Sequence, residues 1–326
     1  MNSGVNDSEL NDDELNDLEV SAEPMEFPAG HRAGYVAVVG KPNVGKSTLV
    51  NALVGHKVAI VSPKPQTTRR RIMGILTRDD AQIIFVDTPG IHEPKMALNK
   101  FMMREVEGAL NDCDAVLFVV DVSAPPDEDD LRVSERIRDL ALPAVMALNK
   151  ADLIAPQNVV EHTRQYYELL GSENGMLTSG VDVRDENMSA LLSLLIAPLP
   201  NGPEFYPAEQ YTDQPEKILA AELIREQALR FLDQEVPHAV AVSVDEFAPR
   251  PNNMIYIGAT IYVERDSQKG ILIGRGGQML KRIGSESRRE IERMLDNKVY
   301  LELWIKVREA WRRDENAVND LLGDQA

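Results

Sequence analysis

The pattern of apolar and polar positions along this 326-residue chain falls into three regimes. Residues 1–31 show no apolar periodicity. From residue 35 the chain alternates short, near-continuous apolar runs (35–39, 82–86, 115–120 and 144–148) with longer stretches in which apolar residues recur at helical spacing. Continuous runs of this kind belong to strands covered on both faces, so residues 32–198 predict an α/β domain with a mainly parallel sheet and crossover helices. Residues 72–76 predict an antiparallel edge strand. Periodicity then vanishes where proline becomes dense, and residues 199–215 read as a linker between domains.

Beyond it the pattern predicts a helix over 216–234, two strands over 239–245 and 254–263 joined by the turn-rich stretch 248–253, and a glycine-punctuated helical pair over 268–296. A third strand over 299–307 and a terminal helix over 309–322 complete a smaller α+β domain, residues 216–326.

Composition changes this picture in two places. No run approaches the ~18 apolar residues a membrane span needs, and the single cysteine, Cys113, beside an apolar run, reads as a small buried hydrophobe in a reducing cytoplasm. The net charge of −18 is unevenly spread: residues 1–30 hold nine Asp and Glu and no Lys or Arg. That segment reads as a disordered tail, either a solvated extension or an acidic competitor for a basic site on the same chain.

The first strand of the larger domain runs into Gly40, Lys41, Pro42, Asn43, Val44, Gly45, Lys46, Ser47 and Thr48, the Gly-x-x-x-x-Gly-Lys-Ser pattern, and a helix opens there. Loop amides and the positive end of the helix dipole cradle phosphates, Lys46 reaches the β and γ phosphates, and Ser47 becomes a ligand of Mg²⁺. ATP and GTP enzymes share this loop, so the base is read elsewhere. Asn149, Lys150 and Asp152 follow the strand at 144–148, and the Asp152 carboxylate pairs with guanine N1–H and its exocyclic amine, whereas adenine would leave it unpaired. Asn149 is assigned the other edge of the base and Lys150 the ring. Ser179 and Gly180 resemble a further base-contacting loop.

Asp87, Thr88, Pro89, Gly90 and Ile91 resemble the element that senses the γ phosphate, with Asp87 at the metal and the Gly90 amide at the phosphate. In the loop 63–71, Thr68 completes the metal shell, with Thr67 as the alternative. Lys46, Thr68 and Gly90 are therefore the expected catalytic groups. Ile91 stands where Ras-like enzymes carry the glutamine that orients water, so intrinsic turnover is expected to be slow.

In the smaller domain, Ile271, Ile273, Gly274, Arg275, Gly276, Gly277, Lys281 and Arg282 resemble the Gly-x-x-Gly signature of KH domains. Glycines let an RNA backbone approach, the cations meet phosphates, and the isoleucines face bases. Residues 265–293 carry eight Lys or Arg against four Asp or Glu.

A phosphate-loop domain followed by this module, with Lys-Pro-Asn-Val-Gly-Lys-Ser, Pro-Gln-Thr-Thr-Arg, Asp-Thr-Pro-Gly-Ile-His and the run Leu301 to Val307, resembles the Era family of bacterial GTPases. The resemblance implies a P-loop NTPase G domain with a KH domain. It also implies binding of GTP and GDP with Mg²⁺, contact with the 3′ end of 16S ribosomal RNA, a role in small ribosomal subunit assembly, and a monomer in the cytoplasm with peripheral contact at the inner membrane face. An RNA-binding scaffold with a vestigial nucleotide site is the alternative.

Overall fold

The computed structural model describes residues 30–64, 66–91, 96–182, 186–232, 236–251 and 253–323. The expected acidic tail up to Ala29 lies outside them. His31, assigned to that tail, belongs to the folded body: it is buried, with Nδ1 2.8 Å from the Gly202 carbonyl.

The apolar runs form strands because each fully buried Val, Ile, Leu or Phe contributes roughly 1.5–3 kcal/mol. Strands β1 (Arg32–Val39), β2 (Ile72–Thr77), β3 (Ala81–Asp87), β4 (Ala115–Asp121), β5 (Ala144–Asn149) and β6 (Gly175–Leu177) make a six-stranded sheet in the order β2-β3-β1-β4-β5-β6. Only β2, at the edge, runs antiparallel to its neighbour. The helices are α1 (Lys46–Val54), α2 (Ala97–Asn111), α3 (Glu128–Leu140), α4 (Val159–Leu170) and α5 (Glu186–Ile196), of which α2, α3 and α4 cross over between parallel strands. Strand residues alternate between two cores: Val36 and Val38 meet α1 and α5, while Ala37 and Val39 meet α2, α3 and α4. Cys113 lies in the second core, as its setting predicts.

The proline-rich segment 199–215 packs along the first domain. Leu199 is fully buried, the Gln82 carboxamide bonds the backbone of Phe205 and Tyr206, and the Tyr211 carbonyl accepts from Ile75 N–H at 2.9 Å.

The second domain begins with α6 (Glu216–Phe231) and α7 (Val236–Ala239), then β7 (Ala241–Arg250), β8 (Met254–Val263), α8 (Asp266–Ile273), α9 (Gln278–Leu295), β9 (Lys298–Val307) and α10 (Glu315–Leu322). Strands β7 and β8 pair antiparallel and β8 and β9 parallel, and α6, α8 and α9 cover one face.

Three expected boundaries move. α6 ends at Phe231, because Leu232 turns extended, and Gln234 lies outside the described residues. β7 starts after the short α7 and continues through Pro249 to Arg250, residues assigned to a turn. The last helix starts at Glu315: Ala310 adopts φ 49°, Trp311–Arg313 forms a 3-10 turn, and the Asp314 side chain caps the amides of Asn316 and Ala317.

Candidate nucleotide site and RNA-binding face

Strand β1 delivers the chain to the loop 40–45, and α1 opens at Lys46 with its first-turn amides unpaired within the helix. Gly45 sits at φ 97°, and a Cβ there would lie 2.4 Å from Asn149 Nδ2, so only glycine lets the base-reading segment lie against this loop. Lys46 is buried and donates to the carbonyls of Gly40 (3.1 Å) and Lys41 (3.0 Å). Burial lowers its pKa to about 8, with Asp87 opposing the shift. The Lys41 side chain turns away: its ammonium bonds Asp127 and Asp130 at the start of α3, both at 2.7 Å, which leaves only its backbone for phosphate.

Three side-chain oxygens converge beside this loop. Ser47 Oγ donates to Asp87 Oδ2 at 2.6 Å and lies 2.8 Å from Thr68 Oγ1, which donates to the same carboxylate oxygen at 3.3 Å. Asp87 is fully buried, and its Oδ1 has no partner among the described residues. Burial lifts the carboxyl to about 6, against Ser47, Lys46 and Thr68. An orphaned buried oxygen within a cluster of hard donors fits Mg²⁺. Of the two candidate threonines, Thr68 faces the cluster, whereas Thr67 Oγ1 donates to the Lys64 carbonyl at 2.7 Å.

The γ-phosphate element divides its roles. The Thr88 hydroxyl, buried, donates to the Val38 carbonyl at 2.7 Å, so its side chain locks β3 to β1 and has no lone donor left for phosphate. Pro89 and Gly90 are buried against the loop, with Gly90 on the wall of the same cleft as Thr48 and Thr68. Ile91 N–H reaches the Gly40 carbonyl at 3.4 Å, and its side chain packs on the second core. His92 lies outside the described residues.

At the base-reading end, Asn149 has a bracing role beside the one expected of it. Its Nδ2 donates one proton to the Val44 carbonyl at 2.8 Å and its Oδ1 accepts from Gly180 N–H at 3.0 Å, so the side chain braces two protein segments and keeps a second amide N–H for a base. Lys150 bonds Asp121 at 2.6 Å, which fixes its aliphatic stem. Asp152 is exposed and receives the Ser179 hydroxyl on Oδ1 at 2.8 Å, leaving Oδ2 for a guanine edge.

In the second domain, α8 ends at Gly274 (φ 69°), whose missing side chain admits Met279: a Cβ there would meet that of Met279 at 2.7 Å. Gly276 and Gly277 have open space around them. Arg275 and Lys281 are exposed, as are Ile271 (50%) and Ile273 (36%), which makes an exposed apolar and cationic rim. Arg282 is exposed too, and stacks at 4.1 Å over Phe231. The adjoining groove is lined by Gly277, Lys281, Arg288, Tyr300 and Leu301.

Residues the sequence did not single out tie the site to this domain. Arg225 and Glu226 of α6 bind the loop 57–71, and Trp311 covers Arg69, which reaches from that loop to the Val240 carbonyl. The available signal was the polar run Arg225, Glu226 and Gln227 between the apolar residues Leu223, Ile224, Ala228 and Leu229 of α6.

Comparison with known proteins identifies the family. A family model described as 50S ribosome-binding GTPase matches residues 35–150, and a KH domain model matches 235–312. GTPase Era of Staphylococcus epidermidis is 43% identical over 291 residues, 89% of this chain and 97% of that protein. Aquifex aeolicus Era bound to GDP and aluminium fluoride superimposes with TM-score 0.85 at 38% identity, covering 90% of this chain and 99% of that one. An Era structure holding MgGDPNP and nucleotides 1506–1542 of 16S ribosomal RNA gives TM-score 0.86 at 38% identity, with the same coverage. A P-loop G domain followed by a KH domain, matched over nearly its whole length by these relatives, places the chain in the Era family of GTPases.

Proposed function

We propose that the chain is a Mg²⁺-dependent GTP switch that binds the 3′ end of 16S ribosomal RNA through α8, α9 and the glycine loop between them, and assists small-subunit assembly. The observation that carries this reading is the position of Thr68: its hydroxyl joins the metal-binding oxygens while the loop around it rests on the second domain. A nucleotide that orders Thr68 therefore acts on the surface that α6 shares with α9.

In hydrolysis, loop amides and Lys46 hold the phosphates and meet charge as it develops on the transferring group. Ser47, Thr68 and Asp87 would hold Mg²⁺, which neutralises phosphate charge when bound. Ile91 offers no group to orient water, so the reaction rests on positioning and electrostatics and is slow. The reading includes a cytoplasmic monomer with peripheral membrane contact; among the described residues no helix is long and apolar enough to cross a membrane. GTP turnover lost in Lys46→Ala and in Asp152→Asn supports the switch; RNA binding with no measurable turnover in the unaltered chain would favour the scaffold.

A further inference from the structure

We infer that Arg225, a residue of the RNA-binding domain, is a positioning residue of the GTP site: it holds the Thr67 carbonyl and so aims the Thr68 hydroxyl at the metal-binding oxygens. This rests on reading Ser47, Thr68 and Asp87 as the metal shell.

Arg225 is 1% exposed on α6, where an apolar residue would suffice for adhesion. Burying a guanidinium costs several kcal/mol unless its partners are well placed, so its burial calls for a specific contact. Glu222 orients it, accepting from Nε at 2.9 Å, and Nη2 donates to the Thr67 carbonyl. Two residues on, Arg69 is 3% exposed and sinks into the entry of β7, donating to the carbonyls of Val240 (2.6 Å) and His238 (3.0 Å) beneath the Trp311 ring. Glu226 fixes the start of the loop, accepting Val61 N–H at 2.9 Å and the Lys57 ammonium at 2.6 Å.

The loop is thus anchored to the second domain at residues 61, 67 and 69, and Thr68, between two anchors, points the opposite way to Ser47 and Asp87. Anchoring both neighbours removes backbone freedom that Thr68 would otherwise lose when a metal binds. Because α6 packs on α9, which follows the glycine loop, the same arginine links the RNA groove to the metal shell.

The test is a Mg²⁺ titration of the full chain without RNA, reading retention of a fluorescent non-hydrolysable GTP analogue and, separately, of fluorescent GDP. For Arg225→Gln the Mg²⁺ concentration that half-saturates analogue retention should rise about tenfold, the scale of one charge-assisted hydrogen bond, with GDP retention within about twofold of the unaltered chain. Arg225→Lys, which keeps a donor, should recover part of the loss. Lys100→Gln is the interface control, because Lys100 of α2 pairs with Glu315 of α10 at 3.7 Å across the same boundary without involving the loop, and it should leave both titrations unchanged. The inference is overturned if Thr68→Ala weakens analogue retention and Arg225→Gln does not. It is equally overturned if Arg225→Gln weakens GDP and analogue alike. A Thr68→Ala variant with no effect would overturn the metal-shell reading first and this inference with it.

Discussion

The Asn149 carboxamide donates to the Val44 carbonyl at 2.8 Å, so the base-reading segment and the phosphate loop are joined by one side chain 105 residues away in sequence. Its other end holds Gly180 N–H. Asn149→Ala strands these buried groups, at about 1–3 kcal/mol, and should weaken GDP and GTP binding roughly tenfold to a hundredfold by isothermal titration calorimetry. Unchanged affinity would show that the brace is not needed.

Asp152 should decide the base. Its carboxylate, steadied by Ser179, accepts from two guanine donors, and Asp152→Asn replaces one acceptor with a donor that opposes them. GTP affinity should fall by about a hundredfold or more, while a xanthine nucleotide, with a carbonyl in place of the amine, should bind the variant better than GTP. Competition binding with GTP, XTP and ATP checks the order.

Trp311 is fully buried where Arg69, α2 and α10 meet, and it donates to the Ala239 carbonyl at 2.9 Å. Trp311→Ala should cost about 3–5 kcal/mol, read as a lowered denaturation midpoint. In a Trp304→Phe background its fluorescence should shift when GDP is exchanged for a non-hydrolysable GTP analogue. A spectrum indifferent to nucleotide would mean that this junction does not move.

Gly277, at φ 77° with open space around it, accepts an aspartate without a clash, at about 1–3 kcal/mol of backbone strain. Gly277→Asp places a negative charge in the RNA groove and should reduce RNA affinity at least about tenfold with nucleotide binding intact. Gly274→Ala should instead damage folding, because its Cβ meets that of Met279 at 2.7 Å. Thermal melts and fluorescence anisotropy separate the two.

Much of the fold was legible because it is written locally. Strands covered on both faces announce themselves as apolar runs, and the phosphate loop, Asp87 and Asp152 sit at strand ends where their motifs place them. Three side chains of these motifs also hold the fold together: Lys41, Thr88 and Asn149 are each claimed by a distant group, in α3, β1 and the phosphate loop. No local pattern discloses such claims. Arg225 and Thr67 lie 158 residues apart, so their contact could not be seen from spacing. The Asp314 cap was readable, since Asp before a helical run is a start signal; counting apolar periodicity through the 3-10 turn at Trp311 obscured it.

The central claim is that the nucleotide bound beside Thr68 sets the affinity of the second domain for RNA. The direct measurement is the anisotropy of a labelled RNA spanning nucleotides 1506–1542 of 16S ribosomal RNA, titrated with the protein saturated first with Mg²⁺ and a non-hydrolysable GTP analogue and then with Mg²⁺ and GDP. The account predicts binding at least about fivefold tighter in the first state, the lower end of ordinary allosteric coupling. Equal affinities in the two states would contradict it.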